Sequence, residues 1–299
     1  MGGVEHWLAA GQFSWRSAGT NGALLQLAGP GHFATALAAE ISRFSCAAYE
    51  SMLDSAPATL APRSLAWPMV RHYYAVFYCA HALLRAGGRS ITFLSSATVA
   101  KLNQLAGQYL GVSPQLTGGA YCVSYQAASG DVDVAKLSGA AGGSHEEMWK
   151  EFLALLREIE NILLTLGASN ATAKVASDLC AALRASLTSQ GKVNGAWLSA
   201  VRNSLNYRQE HGVWFPYSRK KSACDALTAR LLQWHSQPAG GLAISTTKDD
   251  LVRAADMCNV VSHLLTATLS DLARRAPAKG KSFVDRAPFR LLRGRGVPV

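Results

Sequence analysis

The feature that most constrains this fold is residues 68–86, whose apolar side chains cover two faces of a helix. Pro68 suits the first helical turn, where a missing N–H costs nothing, and Gly87-Gly88 marks the end. One stripe consists of Val70, Tyr74, Phe77, His81 and Leu84, and the stripe beside it of Tyr73, Val76, Ala80 and Leu83. A helix that is apolar on two faces is central to its fold. We expect His81 to be a hydrogen-bonded core residue rather than a base.

Helical periodicity dominates the rest of the chain. Apolar residues recur at helical spacing over 32–53, 145–166, 171–188, 192–207, 222–235 and 247–272. Residues 118–139 differ, because AYCVSYQ and DVDVAKLS alternate like two short strands around a turn. The sequence therefore predicts an all-α bundle with a small inserted β-hairpin. We expect an N-terminal helical segment over 1–63, the bundle over 64–276 and a basic flexible tail over 277–299.

The basic residues are concentrated near the C-terminus. The net charge is +10, and eight Lys and Arg residues lie in 274–299 against one acidic residue, Asp285. Prolines and glycines interrupt the same stretch. This composition is typical of a flexible arm that reaches a phosphate backbone or an acidic partner, and equally of a solvated terminus.

The composition indicates a globular protein in a reducing compartment. Hydrophobic residues make up 49% of the chain and charged residues 16%, which argues against disorder. The six cysteines lie far apart without a C-x-x-C pair, so a zinc site is not indicated. No apolar run is long enough to span a membrane, and the N-terminus lacks the features of a secretory signal. We expect a cytoplasmic protein with no membrane partner.

The chemistry is concentrated in residues 201–211, VRNSLNYRQEH. No phosphate loop, nucleophile elbow, zinc-protease helix or dinucleotide fingerprint occurs, so we expect no metal and no cofactor. Arginine binds phosphate bidentately, and histidine exchanges protons near neutral pH. Such groups can cleave RNA without a metal, because one moves the 2′-hydroxyl or leaving-group proton while arginine and asparagine stabilise charge on phosphorus.

The spacing within this cluster sets a condition on that chemistry. In an unbroken helix Arg202 and His211 would lie about 180° apart, so they converge only if the helix ends near Tyr207. Asn203 and Tyr207 share a face. A purely structural interpretation stays open, in which the Arg and His side chains satisfy terminal carbonyls and the Asn and Tyr side chains contact a neighbouring helix.

Two parts of the chain, 64–111 and 193–217, resemble HEPN domains. Residues 71–84, RHYYAVFYCAHALL, followed by Gly87, are similar to the aromatic-rich second helix of that family. The family's other mark is an arginine, usually followed by a polar residue, with a histidine a few residues further on. Arg202-Asn203 matches its start, Tyr207 occupies the nearest histidine position, and His211 comes later. Asn206-Tyr207 is similar to the Asn-Tyr ending of some members.

The resemblance implies a core of four or five helices, often paired as a homodimer whose arginine motifs face one cleft. Active members cut RNA there without a metal, in bacterial toxin–antitoxin, CRISPR and phage-defence systems. The candidate catalytic residues are Arg202, Asn203, Tyr207 and His211. The candidate nucleic-acid contacts are Arg71, His72, Arg208, Arg219, Lys220 and Lys221. Trp214, Phe215 and Tyr217 would either stack on unpaired bases or close a core.

The displaced histidine leads us to expect an RNA-binding or accessory protein of a defence or toxin–antitoxin system that has lost catalysis. An active metal-independent endoribonuclease is one alternative. A structural subunit of a DNA-associated defence complex, using the basic tail, is another.

Overall fold

The computed structural model describes residues 2–53, 64–137, 143–166, 170–236, 242–276 and 282–299. Their α-helices and strands are, in chain order, α1 (Val4–Ala10), β1 (Ser14–Gly19), β2 (Gly22–Gln26), α2 (Gly31–Leu53), α3 (Ala66–Ala86), β3 (Arg89–Leu94), α4 (Ser96–Leu110), β4 (Gly119–Gln126), β5 (Asp131–Lys136), α5 (Gly143–Thr165), α6 (Ala171–Leu187), α7 (Trp197–Tyr207), α8 (Lys221–Leu231), α9 (Asp250–Arg275), α10 (Phe283–Arg286) and α11 (Pro288–Gly294). The chain divides into two compact units, the first Met1–Arg43 with His81–Glu147 and the second Phe44–Ala80 with Met148–Val299.

The first unit is built on a five-stranded antiparallel sheet with the order β1-β2-β5-β4-β3. Its core includes Leu25, Tyr121, Val123, Val132 and Val134 from the strands. Trp7 and Leu8 of α1 and Val99 and Leu102 of α4 belong to the same cluster. The alternation of apolar residues in β4 and β5 thus buries one face of the sheet.

The sheet corrects the predicted fold class, because the protein is mixed α/β rather than all-α with one small hairpin. β4 and β5 coincide with the hairpin expected near 118–139, but they are flanked by β3 on one side and by the β1–β2 hairpin on the other. The strands β1 and β2 fall in the segment expected to be helical. They are short and rich in glycine and serine, and β2 pairs with β5 from a distant part of the chain. Local periodicity cannot reveal such a pairing.

A buried polar network ties three helical segments of the first unit to its sheet. Glu40 of α2 is 5% exposed and lies 2.5 Å from the Nε of Arg85, which is 2% exposed. The same carboxylate accepts hydrogen bonds from the backbone N–H of Val4 (2.8 Å) and from Ser90 Oγ (3.0 Å). Arg85 also donates to the carbonyl oxygens of His81 and Ile91, at 3.0 Å each. The buried charges are therefore paired and extensively hydrogen-bonded, as burial requires.

The second unit is helical within the described residues and is organised around α9. Twelve side chains of this helix are buried, and it packs against α7, α8 and α10. Tyr49 Oη lies 2.9 Å from Thr266 Oγ1, and His72 Nε2 lies 3.2 Å from Asn259 Oδ1. Segments of α2 and α3 thus contact the same central helix. The aromatic-rich α3 buries side chains of both its apolar stripes, among them Val70, Tyr73 and Val76.

The C-terminal basic segment forms two short helices, α10 and α11, within residues 282–299. Its helices α10 and α11 bury Val284, Phe289 and Leu292. Arg286, Arg290 and Arg295 are exposed. The remaining residues of the expected tail, 277–281, lie outside the described part. Within the described ranges, no helix is long and apolar enough to cross a membrane.

Candidate nucleic-acid interface

The short helix α7 separates two neighbouring candidate residues onto different faces. Trp197, Val201, Arg202 and Leu205 are buried, whereas Asn203 is exposed. Successive residues of a helix are rotated by about 100°, so neighbours in sequence need not share an environment. The Arg202-Asn203 pair therefore does not act as a unit facing one cleft.

Arg202 lies among tyrosine rings. Its guanidinium carbon is 5.2 Å from the ring centre of Tyr73, 5.6 Å from that of Tyr74 and 5.8 Å from that of Tyr207. The residue is 8% exposed, and its Nη1 donates to Tyr207 Oη at 3.4 Å. Its buried Nε has no hydrogen-bond partner among the described residues. Cation–π contacts therefore hold the charge inside the unit, away from any phosphate in solvent.

Tyr73 connects this cluster to two neighbouring helices. Its hydroxyl lies 2.8 Å from Ser199 Oγ and accepts a hydrogen bond from Trp149 Nε1 at 3.4 Å. Burial raises the pKa of Tyr73, and these hydrogen bonds and the Arg202 charge oppose that rise. The ring thus stays a neutral phenol, and the contacts around Arg202 support packing rather than proton transfer.

An open pocket lies on the other side of α7. It has a volume of about 400 Å³, and we call it the α7 pocket. Its polar lining consists of Gln190, Lys192, Asn203, Ser204, Arg208, Glu210, His211 and Asp250. The structure thus brings Asn203, Arg208 and His211 of the predicted site together and leaves out Arg202 and Tyr207. Sequence reasoning missed Gln190, Lys192 and Asp250, which lie outside 201–211. Ser204 and Glu210 lie within that cluster but were not named as candidate residues.

His211 reaches this pocket because the chain reverses after α7. The helix ends at Tyr207, and Gln209 (φ +53°) and His211 (φ +72°) both adopt the left-handed backbone region. His211 Nε2 then lies 2.9 Å from Ser204 Oγ. The sequence predicts that His211 can approach α7 only if the helix ends near Tyr207, and the helix does end there.

The hydrogen bonds of Ser204 define the role of its hydroxyl. Ser204 Oγ donates its single proton to the Val201 carbonyl oxygen at 2.9 Å, as serines in helices often do. It therefore accepts from the Nε2–H of His211, which leaves the Nδ1 of His211 as the proton acceptor. No other described residue contacts the His211 ring through a hydrogen bond. Ser204 orients the imidazole and is not an activated nucleophile.

The charges of the α7 pocket are partly balanced. The Asp250 carboxylate accepts from Gln190 Nε2 (3.1 Å) and Arg253 Nη2 (3.1 Å), and Glu210 lies 4.0 Å from Arg208. Lys192 is exposed and forms no ion pair with a described residue. Lys192 therefore has no ionic partner among the described residues, and Arg208 is held only by the exposed Glu210 at 4.0 Å.

The remaining predicted contacts fall into two groups. Arg71, Lys220 and Lys221 are exposed, whereas the Arg219 side chain is 10% exposed and pairs with Asp249, the N-cap of α9. Arg219 therefore anchors a helix end rather than a phosphate.

His72, predicted as a nucleic-acid contact, is fully buried against Asn259. Burial lowers its pKa to about 4, and the hydrogen bond to Asn259 opposes this shift only in part. The contact predicted for His72 is thus corrected to a neutral core position.

A second cavity of about 400 Å³ lies against α9 and contains none of the predicted residues. Its polar groups largely satisfy one another. Asp256 lies 3.2 Å from Arg230, and Asn259 Nδ2 donates to the Arg230 carbonyl oxygen at 2.8 Å. No group of three or more His, Cys, Asp or Glu side chains in the described part of the chain is placed to hold a metal ion.

Comparison with protein-family models, with curated proteins and with solved structures gives no match to this chain.

Proposed function

We propose that this protein binds RNA through the α7 pocket and that Arg202 takes no part in chemistry. The observation that carries the proposal is the separation across α7. Lys192, Asn203, Arg208 and His211 line one open pocket, whereas Arg202 is buried among tyrosines. A protein with this arrangement keeps phosphate-binding groups and lacks the arginine that the HEPN resemblance assigns to cleavage.

The lining of the pocket suits a phosphodiester chain. Lys192 and Arg208 are exposed cations, and the amide of Asn203 donates hydrogen bonds to phosphate oxygens. The net charge of +10 attracts polyanions over a longer range. Binding of this kind weakens as salt rises, because bound cations release counterions from the nucleic acid.

Metal-independent RNA cleavage is the second candidate, and one observation favours it. His211 has an oriented imidazole whose Nδ1 can accept a proton in a pocket that also contains Lys192 and Arg208. In that case His211 Nδ1 takes the 2′-hydroxyl proton and the 2′-oxygen attacks phosphorus to form a 2′,3′-cyclic phosphate. The P–O5′ bond breaks, water protonates the departing 5′-oxygen, and the two cations stabilise the charge on the phosphate oxygens. Arg202 would contribute only packing.

Fluorescence anisotropy with a labelled single-stranded RNA in EDTA tests the binding proposal. We expect the double variant Lys192→Gln/Arg208→Gln to weaken binding and to lower the slope of log K against log salt by about 1.4, since each phosphate contact contributes roughly 0.7. The control Lys101→Gln/Arg157→Gln removes two exposed cations elsewhere. Equal slopes for both variants would refute a phosphate contact in the α7 pocket.

Gel analysis of the same RNA separates the two candidates. Intact RNA after long incubation in EDTA supports a binding protein. Cleavage that His211→Gln abolishes and His32→Gln leaves unchanged supports the nuclease, because His32 is an exposed histidine of α2 outside the pocket.

The homodimer and the role in bacterial defence implied by the resemblance belong to the same proposal. Light scattering of the purified protein with and without RNA measures whether two chains pair. A monomer at all concentrations would remove the paired-cleft arrangement while leaving the α7 pocket as the binding site.

A further inference from the structure

The segment 212–219, which we call the aromatic loop, presents large rings to solvent. Phe215 is 81% exposed and Tyr217 45% exposed, and their ring centres are 5.9 Å apart at an interplanar angle of 85°. Trp67 of α3 is 57% exposed and packs edge-on against Trp214 at 5.6 Å. These rings do not close a core, and clustered exposed aromatic side chains indicate a ligand or a partner.

The aromatic loop is closed by its own backbone. The N–H groups of Ser218 and Arg219 both donate to the Gly212 carbonyl oxygen at 3.2 Å. Gly212 has φ +63°, and a Cβ there would lie 2.7 Å from Arg219 N and 2.4 Å from Ser218 Oγ, so the closure requires glycine. Arg219 is held in turn by Asp249.

Side chains anchor the middle of the loop to the helices beneath it. Val213 is 1% exposed, and its carbonyl oxygen accepts a hydrogen bond from Ser64 Oγ at 2.8 Å. Trp214 Nε1 donates to the Leu205 carbonyl oxygen at 2.7 Å. The conformation that exposes Phe215 and Tyr217 is therefore fixed by these contacts. A surface that is ordered before binding loses less conformational entropy on binding.

The surroundings of the loop are cationic. Arg208 is exposed on its N-terminal side, and Lys220 and Lys221 are exposed on its C-terminal side. No acidic residue occurs between Glu210 and Asp225. Exposed rings next to exposed cations match the two parts of an unpaired strand, since bases stack on aromatic faces and phosphates bind Lys and Arg.

We infer that the aromatic loop is a base-stacking surface for single-stranded nucleic acid, with Phe215 and Tyr217 contacting bases and Lys220 and Lys221 contacting phosphates. The inference rests on the proposed function and adds a preference for unpaired strands. In a duplex each base face is covered by its neighbours, so the rings have nothing to stack on. An apolar protein surface would match the rings but leave the flanking cations without a counterpart.

Three fluorescent probes of equal length test this inference: a single-stranded RNA, the same strand in a duplex, and an abasic strand that keeps only the backbone. We expect the wild-type protein to bind the single strand at least about 5-fold more tightly than the abasic strand, the lower end for one stacked base. Phe215→Leu and Tyr217→Leu should remove most of this difference, because leucine keeps apolar surface but not a ring.

Phe93→Leu and Tyr109→Leu are the matched controls, because these rings are 68% and 73% exposed in the first unit. They should leave the discrimination unchanged. Equal wild-type affinity for the single and abasic strands overturns the stacking surface. If Lys192→Gln/Arg208→Gln then abolishes binding of both strands, the α7 pocket remains supported. Failure to bind any probe refutes both proposals.

Light scattering on the same samples covers the remaining occupants. If Phe215→Leu converts a dimer into a monomer and leaves the discrimination intact, the aromatic loop is a contact between two copies of this chain and the inference is wrong.

Discussion

The Nε of Arg85 lies 2.5 Å from Glu40 Oε2 in the interior of the first unit. Because the Glu40 carboxylate also holds Val4 and Ser90, its loss leaves a buried guanidinium and two donors without their acceptor.

We predict that Glu40→Ala lowers the free energy of unfolding by roughly 3–5 kcal/mol, the usual cost of breaking one side of a buried ion pair. Urea denaturation measures the change. Asp178→Ala is the control, because the Lys174–Asp178 pair is exposed and such pairs contribute less than about 1 kcal/mol. Similar losses for both variants would contradict the structural role of the network.

The neutral burial of His72 predicts a pH dependence of stability. Its folded pKa of about 4 lies below the ordinary value of 6.5, so the unfolded chain binds the proton first as pH falls. The stability contributed by neutral His72 is complete above pH 6.5 and is lost towards pH 4, by roughly 3 kcal/mol. Urea midpoints between pH 7.5 and pH 4.5 should fall more steeply for the wild type than for His72→Gln. Parallel curves would show that His72 is not buried in the neutral form.

Replacing Arg202 should lower the stability of the protein and leave its RNA affinity nearly unchanged. Replacing it by methionine removes the contacts with three tyrosine rings, and we predict a loss of about 2 kcal/mol in the free energy of unfolding. RNA affinity, measured where the variant is fully folded, should change less than twofold. A variant with normal stability and lost RNA binding would place the guanidinium on the ligand instead.

The C-terminal helices should matter for stability as well as for charge. Truncation after Ala276 removes the buried side chains of Val284, Phe289 and Leu292. We predict that this truncation lowers the free energy of unfolding. Phe289→Ala alone should lower it by roughly 3–5 kcal/mol.

Substituting the exposed arginines of the same segment changes its charge without changing its packing. The triple variant Arg286→Gln/Arg290→Gln/Arg295→Gln should leave the urea midpoint unchanged. It therefore tests DNA binding by the basic segment without the loss of packing that truncation causes. Unchanged stability on truncation would mean that α10 and α11 do not pack on the unit.

Several helices follow from sequence because their signals are local. The helix expected over 32–53 is α2 (Gly31–Leu53), and the one expected over 171–188 is α6 (Ala171–Leu187). Other bounds shift: the helix expected over 192–207 begins at Trp197, and the one expected over 222–235 ends at Leu231 before a short turn. Helix ends depend on capping contacts, which a periodic pattern does not contain.

The sequence indicated only some of the residues that line the α7 pocket. The residues between Val201 and His211 do carry the polar groups of the α7 pocket, and their density in a charge-poor chain was the signal. Lys192 and Asp250 joined them only through folding, because they come from separate segments. For Phe215 and Tyr217 the sequence favoured a core position over base stacking, whereas both rings are exposed.

The amino-acid sequence by itself determined where the long helices α2, α3, α5, α6 and α9 form, because each needs only a stripe of apolar residues and a stop signal within one segment. The helix α4 (Ser96–Leu110) was not predicted. Tertiary structure alone decided that β2 pairs with β5 and that Arg202 is buried while Asn203 is open to solvent. Strand pairing and the choice of a helix's buried face depend on partners far away in the chain. The energies that select those partners arise only when distant segments of the chain come into contact.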